Sequence, residues 1–455
     1  MTTATPPTLA EIAARLQGYD PQALRIADAQ AFLLQLAQPI TPTQTLPLRE
    51  ALGRVLAHDV VSPIDVPPHD NSAMDGYAFH GAQLQAGQAL RLQVVGTALA
   101  GAAWVGNVQP GQCVKIMTGA VMPQGLDTVV PQELTTPDGD GICIAPDTLR
   151  AGDNRRLRGE DLEQGRVALP QGSLLTPAAL GLLASLGQPT VTVLRRLRVA
   201  YFSTGDEILS LGDAPREGAV YDSNRYTVMG MLARLGVDMV DLGVVRDDPA
   251  LLQAAFAEAA SQADVVITSG GVSVGEADHT RALMKQLGDV AFWRIAMRPG
   301  RPMAVGRLQK HQFKAKIGSS LSNSSTISYQ NNSESDTTET LLLGLPGNPV
   351  AVMVTFLALV RPTLLRMMGC THPAPPLLRA RSTENMGKKP GRTEYQRGWV
   401  STAADGSLQV RTTGNQGSGV LSSMVQANGL VVLHHDQGSV AVGDMVDVMM
   451  FDGAI

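Results

Sequence analysis

Two segments place carboxylates and glycines directly after apolar runs, an arrangement suited to phosphate and metal chemistry. Thr204-Gly205-Asp206-Glu207 follows LRVAYFS. The loop Gly270-Gly271-Val272-Ser273-Val274-Gly275-Glu276-Ala277-Asp278 follows ADVVITS. Glycines let backbone N–H groups approach a phosphate, and the start of a following helix favours negative charge. With Glu207, Asp247 and Asp278 converging, these loops read as a phosphate site holding Mg²⁺, because hard cations take carboxylate oxygens. The competing reading is a set of surface acids scattered over loop ends.

Other segments leave two readings open on residue types alone. In PPHDNSAMDGYA, Asp70 and Asp75 occupy a Pro-bounded turn, as chemical groups or as turn formers making Asx-type bonds. Lys115 to Ala120 is a strand running into the small turn Thr118-Gly119. Asn154 to Asp161 sets Arg155, Arg156 and Arg158 beside Glu160 and Asp161, either a solvated face of weak ion pairs or a phosphate clamp. Arg298-Pro299-Gly300-Arg301 could hold an oxyanion on a stiff scaffold, or be a solvated turn. Pro346 and Pro349 bracket a tight loop before an apolar segment, and proline in a first helical turn is ordinary.

These residues need elements to position them. Residues 8–36 have helical spacing (Leu9, Ile12, Leu16, Ala29, Phe32, Leu33, Leu36), and 174–187 reads as a helix ending at Gly187. Between 63 and 161, short β-rich runs alternate with Gly and Pro turns. From 197 the rhythm becomes strand, loop, helix, which predicts a doubly wound, largely parallel α/β sheet with ligands at the carboxyl ends of its strands. After HPAPPLL, glycine-separated strands predict a small β-barrel. Residues 309–340 are rich in Ser, Thr and Asn and lack apolar anchors. They read as a flexible insertion whose 318–340 part is dispensable.

The chain has 455 residues, too many for one core, and a formal net charge of −5, which argues against a general nucleic-acid binder. Cys113, Cys143 and Cys370 are far apart and form no disulfide framework or zinc pattern. His434-His435 reads as barrel surface. The first residues carry no basic segment and long apolar run, and Val350 to Val360 is too short to span a bilayer, so a cytoplasmic protein is expected.

Taken in order, PPHDNSAMDGYA, KIMTGA, RRLRGED, FSTGDE, YDSNRYTV, VVRDDP, TSGGVSVGEAD, FWRIAMRPGRP, GLPGNPV, EYQRG and TTGNQGS closely resemble the MoeA family, which includes the E domain of gephyrin. The resemblance implies a multidomain α/β plus β subunit that dimerises. Its linking domain I would be 8–62 with 162–193, its β-rich domain II 63–161, its molybdopterin-binding domain III 194–371, and its barrel domain IV 372–455. The implied reaction uses adenylylated molybdopterin, molybdate and Mg²⁺, and yields AMP and molybdenum cofactor. The implied catalytic set is Asp75, Thr118, Asp161, Glu207, Asp247 and Asp278, the last three also as metal ligands. Arg156, Gly270, Gly271, Ser273, Arg294, Pro346 and Pro349 would bind the pterin substrate, and Arg298, Arg301, Arg392 and Ser418 molybdate. The resemblance also implies that Asp75 and Thr118 act in trans across the dimer. The family often has lysine where Arg294, Arg298 and Arg301 stand, and serine where Ala351 stands. An adenylyltransferase resembling the α/β part alone, or a non-catalytic molybdopterin-binding scaffold, are the competing functions.

Overall fold

The computed structural model describes residues 7–271, 278–309, 339–371 and 376–451, with the side chains of 278 and 279 excluded. Ser273 and residues 310–338 of the insertion therefore lie outside the described residues. The chain separates into two compact units, one made of Thr45–Leu52 with Leu56–Thr192, and the other of the remainder.

The smaller unit is built on a sheet ordered Thr128–Pro131, Gly76–Phe79, Gln112–Ile116, Leu90–Ala98, Gly141–Ile144 and Thr135–Asp138. Its short strands turn apolar residues such as Ala78, Val114, Ile116 and Val129 into one core cluster, and Phe79, Leu92, Val130 and Ile142 into another. Leu90–Ala98 and Gln112–Ile116 run parallel, with a register shift between Val94 and Gly96. Helix Pro177–Ser185 begins on Thr176, whose hydroxyl accepts from the Ala179 N–H.

The larger unit holds a sheet in the order Asp238–Val245, Arg198–Thr204, Val265–Ser269, Glu339–Leu345, Pro302–Gln309, Gly288–Arg294. The first four strands are parallel and the last two join antiparallel. The sheet is thus mixed: its first four strands are parallel, and Pro302–Gln309 lies antiparallel to both Glu339–Leu345 and Gly288–Arg294. Helices cover both faces, as a doubly wound sheet requires. Ser223–Leu235 packs Val228, Met231 and Leu232 on one face. Pro249–Gln262 packs Leu252, Phe256 and Ala259 on the other, where Phe256 meets Phe202 edge-on at 5.1 Å. Such a ring pair adds about 0.5–1.5 kcal/mol beyond its buried area. Asp248 starts the second helix by accepting from the Ala250 and Leu251 N–H groups, with Pro249 at its first position.

The amino-terminal periodicity resolves into two helices, Leu9–Arg15 and Ile26–Leu36, whose apolar faces enter the core of this α/β sheet. Phe32 packs edge-on to Trp293 at 5.0 Å, and the Trp293 indole donates to Tyr19 Oη at 2.9 Å. The apolar run at 350–360 belongs to a longer continuous helix, Pro349–Met367, with a π turn at Phe356–Val360. It is long and apolar enough to cross a bilayer, which corrects the expectation from its central run. However, 78% of its apolar window is buried inside the protein, the burial of a core helix.

Five strands near the C-terminus close into a barrel. Thr393–Thr402, Leu408–Thr412, Leu378–Ser382, Met445–Met450 and Gly429–Leu433 pair in turn, and the last returns to the first. Ala380, Val400, Val410, Val431, Val446 and Val448 fill it. Met297–Arg298 adds alongside Thr393–Glu394. His434 contacts Asp447 at 2.6 Å on the exposed surface, and among the described residues no group of three His, Cys, Asp or Glu could hold a metal.

Gln309 and Glu339 face each other at the end of their antiparallel pair, and the Gln309 amide donates to the Glu339 carboxylate at 2.5 Å. The strand begins two residues earlier than the polar composition suggested, because Thr340 is fully buried with its hydroxyl donating to the Ala260 and Ala263 carbonyls. The two ends of the insertion are therefore already adjacent. Long loops add little closure cost, about 0.6 kcal/mol per doubling of length. Replacing 312–336 by a short Gly-Ser turn is expected to leave the melting temperature and activity near wild type. A collapse of either would show that the segment packs or acts.

Candidate functional site

In the smaller unit, a small β ladder gathers the acidic turn and the arginine run. Asn71–Ser72 pairs with Arg155–Arg156, so Arg155 lies opposite Ser72 and Arg156 opposite Asn71. The Thr118 turn joins them, because Ser72 N–H donates to Ala120 O and Gly119 N–H to Ser72 O. Gly119 has φ +80°, a conformation that favours glycine. Gly76 is required just after the acid, since a Cβ there would lie 2.0 Å from the Val130 carbonyl oxygen. Asp75 Oδ1 accepts from both the Thr118 N–H and the Thr118 hydroxyl at 2.7 Å. Those two bonds, with Lys115 adding positive charge, hold the Asp75 carboxyl below the usual carboxylate range.

Thr118→Ala removes one of these bonds and leaves the backbone N–H. The Asp75 titration is then expected to move part of the way up toward its ordinary value of about 3.9. An NMR titration of the labelled carboxyl measures the shift, and no movement would show that the hydroxyl does not stabilise the ionised form.

Around this turn, Asp65 takes Arg158 Nε at 2.5 Å and the Gln164 N–H at 2.7 Å. Arg155 reaches Asp70 at 3.7 Å. Arg156 and Asp161 are exposed, with Asp161 N–H donating to Val66 O.

In the α/β sheet, the strand order switches sides at Arg198–Thr204, whose parallel neighbours are Asp238–Val245 on one side and Val265–Ser269 on the other. Gly205, Gly270 and Gly271 all have positive φ there. A Cβ at Gly270 would approach the Thr204 carbonyl to 2.3 Å, and one at Gly271 would approach Thr280 Cγ2 to 2.8 Å. The glycines therefore allow the loop to close onto the strand end. Glu207 is exposed and folds back over Gly205, where a Cβ would lie 2.5 Å from its carboxylate. Asp206 Oδ1 accepts from the Asp247 N–H at 3.4 Å, which brings the two acidic loops together. Beneath them the hydroxyls of Tyr201, Ser203 and Ser269 bond to one another at 2.7 to 3.2 Å, all buried.

A cavity of about 250 Å³ opens beside the carboxyl-terminal barrel, lined by residues that include Arg298, Glu394, Arg397, Thr412 and Gln416. Arg397 is only 1% exposed. Its guanidinium donates to Ser423 Oγ at 2.9 Å and to the carbonyls of Gly417 and Asn415 at 3.0 and 3.3 Å. Burial pushes its pKa down to about 10, and the like charge of Arg298 adds to the shift. Arg392 pairs with buried Glu394 at 2.8 Å. Two guanidinium groups facing one cavity, with a single carboxylate that is already paired, make a place for an anion.

Family models match successive parts of the chain: a MoeA N-terminal region (domain I and II) over 24–187, a probable molybdopterin binding domain over 200–366, and a MoeA C-terminal region (domain IV) over 379–451. A molybdopterin molybdenumtransferase of Haemophilus influenzae is 40% identical over 430 residues, spanning 94% of this chain and 99% of the relative. The chain belongs to the molybdopterin molybdenumtransferase family. A relative of the same description from Nostoc is 34% identical across 90% of this chain and 88% of its own. The crystal structure of a molybdopterin biosynthesis MoeA protein from Pyrococcus horikoshii OT3 aligns with TM-score 0.73 at 25% identity, covering 94% of this chain and all of that one.

The sequence-expected residues of this molybdenumtransferase fold fall into three groups. Asp75 and Thr118 are in direct contact, and Arg156 lies on the same ladder. Glu207 follows Asp206, which accepts from the Asp247 N–H, and Gly270 and Gly271 close onto Thr204 at the same edge of the sheet. Asp278 opens helix Asp278–Leu287, and Pro346 and Pro349 frame the loop before the core helix. Arg298 lines the cavity, whereas Arg392 reaches it through Glu394. Arg301 is tied by its carbonyl to the Ile295 N–H, and Arg294 by its N–H to Pro21 O. The Ser418 carbonyl accepts from the Val350 N–H, so Ser418 joins the start of the core helix. Arg397 was missed as a site residue. It stands in EYQRG at a buried strand position, on the face that meets the 415–423 segment.

Proposed function

We propose that this chain inserts molybdenum into molybdopterin, acting on adenylylated molybdopterin and molybdate and releasing AMP. The observation that carries the reading is the anion cavity of Arg298 and Arg397 in a chain whose molybdopterin binding domain is flanked by both MoeA regions. An adenylyltransferase would need only the α/β part, and the family match extends well beyond it on both sides.

Gly270 and Gly271, with Ser273, are proposed to hold the substrate's phosphate through backbone N–H groups, and Pro346 and Pro349 to keep the neighbouring loop rigid. Glu207, Asp247 and Asp278 would offer carboxylate oxygens to Mg²⁺, with substrate phosphate and water completing its shell. When bound, Mg²⁺ would neutralise charge building on the adenylyl phosphate. Arg298, Arg301, Arg392 and Ser418, now with Arg397, are proposed for molybdate. Asp75, Thr118 and Asp161 are proposed as catalytic groups, and Arg156 and Arg294 as substrate contacts. We propose a cytoplasmic homodimer with the family's four domains.

Purified protein given adenylylated molybdopterin, molybdate and Mg²⁺ is expected to release AMP and molybdenum cofactor, and a chelator is expected to stop it. Pterin adenylylation from ATP in place of AMP release would overturn the reading.

A further inference from the structure

At the carboxyl end of the α/β sheet, two buried acceptors have no donor among the described residues. Asp222 is 3% exposed; its Oδ1 caps helix Ser223–Leu235 by accepting from the Arg225 N–H at 3.0 Å, while its Oδ2 has no partner among the described residues. Asn224, 7% exposed, donates through Nδ2 to Gly347 O at 2.7 Å, and its Oδ1 is likewise unpartnered. The nearby hydroxyls of Tyr201, Ser203 and Ser269 bond to one another in a ring of three contacts, which uses their protons. Asp222 caps this helix and Asn224 stands in its first turn, and the Gly347 bond holds that turn just past the carboxyl end of strand Glu339–Leu345, the edge where such sheets bind ligands. A buried acceptor left unmade is costly, so a ligand that supplies N–H groups there gains more than it would at an exposed site.

We propose that Asp222 Oδ2 and Asn224 Oδ1 read the donor edge of the pterin ring, its ring N–H and adjoining 2-amino group. This deepens the reading of the α/β unit as the molybdopterin site and rests on it. The Gly347 bond gives Asn224 a second role, since it fixes the amide so that its oxygen, and not its nitrogen, is left for the ligand.

The test uses the full chain, with affinity for metal-free molybdopterin measured by fluorescence and competition by 6-hydroxymethylpterin and its lumazine counterpart, which carries a carbonyl in place of the 2-amino group. Asp222→Asn keeps the helix cap and turns the free acceptor into a donor. Asp222→Ser keeps the cap and deletes the free oxygen. Both are expected to weaken molybdopterin on the order of ten- to hundredfold. Asp222→Asn alone is expected to reverse the preference toward the lumazine, an outcome that a merely structural role for Asp222 would not produce. If the wild-type chain binds molybdopterin and both variants match its affinity and its pterin preference, the proposal falls while the site reading stands. If the wild-type chain does not bind molybdopterin, both fall together.

Discussion

Asp75→Ala is expected to slow AMP release by about 10²- to 10⁴-fold, the usual contribution of a positioned acid or base. The thermal midpoint should stay close to wild type, because the side chain is exposed and surface substitutions usually cost under about 0.5 kcal/mol. The argument starts from geometry. One carboxylate oxygen takes two donors from Thr118, so the side chain is fixed and its charged form favoured, while the other oxygen takes no hydrogen bond among the described residues. Asp75→Asn can keep one amide oxygen on the same donors and loses only the charge, so it separates position from ionisation. A comparable loss in both variants assigns the effect to charge. Wild-type turnover in the alanine variant would remove Asp75 from the chemistry.

Much of this arrangement was legible because strand–loop–helix rhythm and motif position agree. The strands at 198–204 and 265–269 read as apolar runs and are buried along nearly their whole length. Their glycine-bearing ends had to be loops, and they are. What was hidden has physical causes. Gly288–Arg294 is an edge strand with a mixed burial pattern, so neither alternation nor a continuous apolar run marks it. It pairs with Pro302–Gln309, itself antiparallel to Glu339–Leu345, and the polar insertion between those two strands obscured the pattern. The length of the core helix was masked by Arg361, Pro362 and Arg366, which interrupt its apolar run although Pro362 stands at the first turn after the π segment. Arg397 escaped because buried arginine is rare unless its donors are met, and here Ser423 and two loop carbonyls, none adjacent in sequence, meet them.

That same network makes Arg298 the cleaner probe of the anion cavity. Arg397→Ala would take a donor from the buried Ser423 hydroxyl, at about 1–3 kcal/mol of stability for a buried group left unpaired, and would mix a folding effect with a binding one. Arg298 is exposed at the cavity wall, and its backbone is held by pairing with Glu394, so truncating the side chain leaves the scaffold in place. A charge-assisted contact of this kind contributes roughly 1.5–3 kcal/mol. Arg298→Ala is therefore expected to raise the molybdate concentration for half-maximal turnover by about ten- to hundredfold, with pterin affinity nearly unchanged. Arg298→Lys keeps the charge without the planar fork and should recover part of the loss. Removing the Arg298 charge also lifts a repulsion from Arg397, so the Arg397 guanidinium should hold its proton more firmly in the alanine variant. Molybdate kinetics beside a direct pterin-binding measurement decide the matter. If pterin affinity falls and the molybdate requirement does not, the arginine pair holds the substrate's phosphate, and the molybdate site lies elsewhere.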